Sequence, residues 1–345
     1  MNFELSEDQA MLKDTADRLF AQAAGDPSGD LWARMAELGL LAAPFAEQDG
    51  GLGLGPVETM ILAEAAGRAQ VLTPYASSIV AAGTALRLAP VPPSGLIAGL
   101  AAGEVQFAWG HEELGMPAGQ ARRTRARSSG DGWILSGRKT NVVHVAGDAR
   151  LVVTATTDGG PIVLIVPLDA QGVSRRDHQL FDGTPASEIS FYEVGVEVGA
   201  VVAHGPDAAT LTERAREHLV AFRASEAVGL MQALLDATLE HLRTRRQFGE
   251  PLSSFQALRH KAADMLVALE QARSMAMLAA LSVEDPEAEM RRKTIAQVRT
   301  VVAKACKLVG QAAVQLHGGI GVTEEHPVGR GFRQLTLIDL EMERG

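Results

Sequence analysis

Two short stretches of this 345-residue chain carry side chains in patterns that chemistry could use. In RRQFGEPLSSFQ, residues 245–256, two arginines, a glutamine and a phenylalanine occupy consecutive positions between two long helical patterns. Gly249 and Pro251 end the first helix, and Ser253 or Ser254 can cap the next, but neither role explains Arg245, Arg246 and Phe248. A corner of this kind presents fixed cations and a ring to one ligand, and the planar fork of arginine suits a pyrophosphate. A solvated helix end whose cations complement the macrodipole has the same spacing, so both readings stay open. In QLHGGIGVTEEHPVGR, Gln315 to Arg330, Gly318, Gly319 and Gly321 remove side chains over four residues. That permits positive φ and close approach of backbone to a ligand, although a flexible helix terminus has the same glycines.

The elements that must position these stretches are legible from period. Ser6 followed by Gln9 has capping-box spacing, and Leu12, Ala16, Leu19 and Phe20 recur on one face, so the chain opens with an amphipathic helix. Helical patterns continue through LWARMAELGLLA, PVETMILAEAAGRAQ and YASSIVAAGTALRLA, which gives a helical domain over residues 1–103. GGLGLG within it has no strand leading in and runs straight into Pro56, so it reads as a loop between helices and not as a dinucleotide fingerprint. From Val105 the texture becomes short, β-branched and bounded by Gly, Asp and Pro, without a helical interruption; residues 104–203 read as a middle antiparallel β domain. The helical period then returns for good, and three or four long helices over 204–345 predict an antiparallel bundle. The fold class is α+β.

Composition removes several function classes. A net charge of −10 and a pI near 5.4 argue against a nucleic-acid or anionic-membrane partner, because such surfaces reward excess Lys and Arg. The run Arg122 to Arg127 reads as a solvated strand face. The lone Cys306 lies among apolar residues at helical spacing and reads as a small buried side chain. The nine histidines form no close pair of the zinc-site type and HExxH is absent, so no metal is indicated. No secretory leader or bilayer-length apolar run is present, and a cytoplasmic location is expected.

Together, TRRQFGEPLSSFQALRHKAADM, QLHGGIGVTEEHPVGR and the opening FELSEDQAMLKDTADRLF resemble the acyl-CoA dehydrogenase family over essentially the whole chain. The resemblance implies an N-terminal helical domain, a middle β domain and a C-terminal four-helix bundle. It implies FAD as cofactor, an acyl-CoA as substrate and an electron-transfer flavoprotein as electron acceptor. In the family, the corner and the glycine loop of one subunit reach the adenosine and pyrophosphate of FAD seated in a neighbour. Carried over, this assigns Arg245, Gln247, Phe248, Gln315, Gly318 and Gly319 to cofactor binding.

The flavin-ring side departs from the family pattern. Where the family has a stretch like TEPGAGSD, ungapped counting finds HEELGMPA, with Glu112 matching, His111 in place of Thr and Pro117 in place of Ser. The family's Trp-Ile-Thr falls on Asn141, Val142 and Val143, and a valine cannot give the Thr hydroxyl's bond to the ring. The family's catalytic carboxylate falls on Met342, between Glu341 and Glu343, which with Asp339 are the candidate bases; the alternative position falls on Leu219, with Glu226 two turns later. Strong adenosine-side motifs beside weak ring-side ones point to one subunit of a heterotetramer, paired with a paralogous chain that holds the complete site and acts in lipid or steroid catabolism. A homotetramer with a divergent pocket, based on Glu341 or Glu343, is the alternative. A non-redox binding protein on the same fold is the third reading.

Overall fold

The computed structural model describes residues 5–25, 30–116, 120–323 and 325–343. Helices fill the chain up to Ala101, strands follow from Phe107 to His204, and helices return from Pro206. By contact the chain forms two compact units, each assembled from separated stretches: Met1–Gly29, Pro56–Leu72 and Val220–Arg344 in one, Asp30–Gly55 and Thr73–Leu219 in the other.

The helical unit begins with α1 (Glu7–Gly25), opened by the capping box that its sequence predicts. The Ser6 amide donates to Gln9 Oε1 (3.0 Å) and the Gln9 amide to Ser6 Oγ (3.2 Å). α3 (Pro56–Arg68) follows in the same unit, whereas α2 (Leu31–Glu37), α4 (Gly83–Arg87) and α5 (Ser94–Ala101) belong to the other. The long helices α6 (Pro206–Thr244), α7 (Gln256–Ser282), α8 (Ala288–His317) and α9 (Pro327–Glu343) make the expected bundle. Its core is alanine-, leucine- and valine-rich, with Met231, Leu269, Val302 and Leu335 fully enclosed. Two glycines let α3 and α6 meet at the backbone. A Cβ on Gly67 would stand 2.1 Å from the Glu226 carbonyl oxygen, and one on Gly229 2.0 Å from that of Glu64. Cys306 lies in this core, its thiol pushed up by burial.

In the other unit the GGLGLG segment is a loop, as read. It wraps Phe45 so closely that a Cβ on Gly51 would sit 2.0 Å from the Phe45 carbonyl oxygen. The helical pattern around Ser77 forms a buried π-helical turn, Ala76–Ala82, leading into α4. The strands are β1 (Phe107–Gly110), β2 (Arg125–Ser129), β3 (Gly132–Val143), β4 (Arg150–Thr157), β5 (Gly160–Pro167), β6 (Val173–Gln179), β7 (Pro185–Glu197) and β8 (Val201–His204). Ser78 Oγ and Ser77 Oγ accept the amides of Phe107 and Trp109, each at 3.0 Å, tying the π-turn to β1.

The sheet runs β6-β7-β3-β2-β4-β5-β8, with β1 also on β4. Most pairs are antiparallel, but β1 lies parallel to β4 from Phe107↔Arg150 to Gly110↔Val153, and β2 parallel to it at Arg125↔Thr156. The all-antiparallel expectation is therefore corrected to a mixed sheet. The two strands are successive segments along one partner, with the HEELGMPA stretch between them. Pairing direction belongs to the partner strand, and the side-chain alternation of a single strand does not encode it. Among the described residues, no helix is long and apolar enough to cross a membrane.

Candidate functional site

The corner lies in the helical unit, at the end of α6. The chain turns through a two-residue ladder, β9 (Arg246–Gln247) against β10 (Glu250–Pro251). Phe248 and Gly249 bridge it with φ of +56° and +84°. Positive φ at two central residues makes a tight hairpin whose twist matches its strands, at a conformational cost for a phenylalanine. Arg246 Nη2 closes it by donating to the Gly249 carbonyl (3.0 Å). Arg245, Gln247 and Phe248 are all exposed, Phe248 at 90%, with an edge-on contact to Phe255 at 6.1 Å. A ring held this far out in a strained turn contributes little to the fold that carries it.

The glycine loop lies in the same unit, at the end of α8. Gln315, Gly318 and Gly319 are exposed, and Gly318 has φ +66° and ψ −144°. His317 beside it is buried. A Cβ on Gly321 would meet His317 Cβ at 2.9 Å, so this glycine packs inward while its two predecessors face out.

The ring-side residues lie in the sheet unit and are built differently. Lys139, fully buried on β3, donates to Glu113 Oε1 (2.7 Å), to the His111 carbonyl (3.2 Å) and toward Thr154 Oγ1 (3.5 Å). Glu113 also accepts the amides of Arg123 (2.6 Å) and Thr124 (3.1 Å). Burial by itself raises the Glu113 carboxyl, but the Lys139 ammonium wins and holds it below its usual range. Burial pulls Lys139 down to about 8, with Glu113 opposing, so the pair is ionic at neutral pH. Glu112, the match to the family pattern, has an exposed side chain; its carbonyl accepts the Thr140 amide (2.8 Å), and its charge favours the Arg216 cation. Lys139 went unread because β3 does not alternate simply. β3 carries an extra residue between Lys139 and Val142, where Asn141 takes a φ of +51°, and this shift leaves both Lys139 and Thr140 facing inward.

His111 is buried, stacked on Trp109 with centroids 5.6 Å apart, and bonded through Nδ1 to Thr154 Oγ1 (2.9 Å). Its Nε2 has no protein partner. Burial, then Arg122, Lys139 and Arg216, hold its pKa well below the usual histidine range. Arg122 corrects another expectation. The run from 122 to 127 alternates, so Arg125 and Arg127 are exposed and pair with Asp158 (2.7 Å) and Glu193 (3.2 Å), while Arg122 turns inward and is buried. Asn141 is exposed at φ +51°, Val142 is buried and Val143 half-buried; Pro117 lies outside the described residues.

The candidate bases return to the helical unit. Met342, at the family's carboxylate position, is 4% exposed and packed in the bundle core. Arg223 draws two of the candidates together, with Nη1 2.6 Å from Glu226 Oε2 and Nε 3.0 Å from Glu341 Oε2. Arg299 donates to the carbonyls of Met342 (2.8 Å) and Glu341 (3.1 Å), fixing the last turn of α9. Glu343 is exposed, and Asp339 is raised by burial and by Glu343. Leu219 is half-buried on α6.

Known proteins share this architecture. The profiles described as "Acyl-CoA dehydrogenase, N-terminal domain" and "Acyl-CoA dehydrogenase, C-terminal domain" match residues 6–90 and 213–339. The probable acyl-CoA dehydrogenase YngJ of Bacillus subtilis is 30% identical, covering 99% of this chain and 95% of its own. A Tcur3481-Tcur3483 steroid ACAD superposes with a TM-score of 0.88 at 27% identity, over 97% of this chain and 94% of that one. The ChsE4-ChsE5 complex from Mycobacterium tuberculosis superposes equally well, at 25% identity over 99% and 95%.

Proposed function

This chain belongs to the acyl-CoA dehydrogenase family of FAD-dependent oxidoreductases, and from that premise we propose that it is the supporting subunit of a hetero-oligomeric enzyme acting on an acyl-CoA. Its corner and glycine loop face the adenosine and pyrophosphate of FAD held by a paralogous partner, and the partner supplies the flavin-ring contacts and the base. The electrons leave to an electron-transfer flavoprotein. Bulky acyl groups such as steroid side chains are the substrate class, since two of the similar structures are a steroid ACAD and a two-component complex.

The observation that carries this reading is the contrast between the two sets of residues. All six adenosine-side positions are exposed, and Phe248 sits in a strained turn with 90% of its surface in solvent. They fit FAD: a guanidinium for phosphate, a ring for stacking and side-chain-free backbone for close approach. The ring side fits it poorly. Val143 offers no hydroxyl, and the buried polar groups of Glu113 and Lys139 already satisfy each other. On the ring side, His111 Nε2 is a buried nitrogen that still wants an acceptor or donor. The bound flavin would supply the hydride-accepting chemistry; this chain's residues bind and orient it.

The test is the visible spectrum of the chain purified alone and with its paralogue. A colourless chain that yields a yellow complex with one flavin for every two chains is expected. A stoichiometric flavin on the isolated chain, bleached by an acyl-CoA, would overturn the reading in favour of a self-sufficient enzyme. Glu341→Gln with Glu343→Gln sharpens it: turnover of the assembled enzyme is expected to survive, because neither carboxylate is the base.

A further inference from the structure

Three histidines lie directly behind both cofactor-facing stretches. His241 is on the last turn of α6, and its carbonyl accepts the Arg245 amide (2.9 Å) at the corner. His317 ends α8, immediately before Gly318. His326 stands immediately before α9. Their rings pack one on the next at a tilt, His241 to His317 at 4.4 Å and 31°, His317 to His326 at 5.1 Å and 57°. The end of α6 is thereby joined to the loop between α8 and α9.

Hydrogen bonds tie the cluster to the backbone around it. His326 Nδ1 accepts the Val328 amide (3.2 Å) in the first turn of α9. His317 Nδ1 donates to the Ala313 carbonyl (2.9 Å), a bond that a charged ring makes as readily as a neutral one. The charged groups facing His241 are Arg245, His317 and His326, and the one facing His317 is His326. Among the described residues, the neighbouring groups that act on His241 and His317 in this way are all basic.

We propose that His241, His317 and His326 are positioning residues whose ring cluster holds the Arg245–Phe248 corner and the Gly318–Gly319 loop in place while His241 and His317 are neutral, and releases both when those two rings are protonated. The cofactor role of the two stretches rests on the function proposed above; the coupling between them does not. Burial first, and then the neighbouring cations, depress His241, and burial depresses His317 against the pull of the Ala313 and Ala237 carbonyls. The sign follows. Groups depressed in the folded protein favour the closed cluster above the ordinary histidine pKa, and that preference is lost as pH falls from there through the folded values.

The experiment is hydrogen–deuterium exchange of the full chain, corrected for intrinsic rates, with flavin release from the assembled enzyme followed in parallel. Between pH about 7.5 and about 5.5, the segments 245–252 and 318–323 should lose protection together, across the ordinary histidine range. His326→Asn keeps an acceptor for the α9 amide but removes the ring packed on His317, so it should uncouple the two segments' response to pH while leaving protection at neutral pH intact. His241→Gln, which leaves α9 untouched, should flatten that response at the corner. Unchanged exchange with pH, or wild-type behaviour in both variants, overturns the proposal. Parallel loss of protection without faster flavin release would uphold the cluster and overturn the cofactor role of the corner.

Discussion

The corner at the end of α6 and the Lys139–Glu113 pair of the sheet unit are both charged sites in a family with one cofactor, yet they are built oppositely. At the corner the arginines and Phe248 face solvent, and the backbone holds a strained turn that gains the fold almost nothing. At the ring side, ammonium and carboxylate are buried, bonded to one another and to neighbouring amides. Exposed strain costs the fold and needs a return from outside it, which the proposed cofactor role would supply, whereas buried charge is retained where the fold itself depends on it.

The largest expected effect breaks the buried side. Glu113→Ala leaves the Lys139 ammonium enclosed without its partner, and removal of one member of such a pair costs about 3–5 kcal/mol. Denaturant unfolding of the chain reads this directly, and a loss below about 1 kcal/mol would mean that water reaches the pair. Arg245→Ala tests the opposite side. Its unfolding free energy should stay within about 0.5 kcal/mol of wild type, while the assembled enzyme loses FAD about tenfold more readily, roughly 1.4 kcal/mol of binding. Unchanged flavin retention would end the claim that the corner faces a cofactor.

A third measurement uses pH to sharpen the contrast. His111 is depressed by burial and by three cations, so the unfolded chain takes up a proton that the folded chain refuses. Stability should therefore fall as pH drops below about 6.5, with a slope from this group of up to about 1.4 kcal/mol per pH unit. His111→Gln should remove that slope in urea titrations over the range, and persistence of the full slope would assign it elsewhere. The smallest effect is at Phe248. Phe248→Gly relieves a positive φ and should raise thermal stability slightly, by no more than about 1 kcal/mol, yet weaken flavin retention. Opposite movement of stability and binding in one variant is the clearest signature of a residue kept for a ligand.

Much of this was legible in the residues alone. The capping box of Ser6 and Gln9, the bundle helices, the loop nature of GGLGLG and the turn at Phe248–Gly249 are all decided by neighbours within a few positions. Local period and turn chemistry suffice there, because the groups that interact are the groups that are adjacent. The choice of Glu113 over Glu112 was not legible, nor the inward turn of Arg122. A single residue of register reverses which side chain is buried, and partners distant in sequence decide it: Glu113 is held by Lys139, and the Arg122 carbonyl accepts the Thr156 hydroxyl.

What the sequence by itself determined is the order of helices, strands and helices, the family, and the two stretches whose residue types suit a dinucleotide. What only the tertiary structure decided is which charges meet. Lys139 finds Glu113 across 26 residues, Arg223 on α6 gathers Glu226 and Glu341, and three histidine rings pack one on the next. Such pairings depend on distances between elements, which packing fixes and local propensity does not encode.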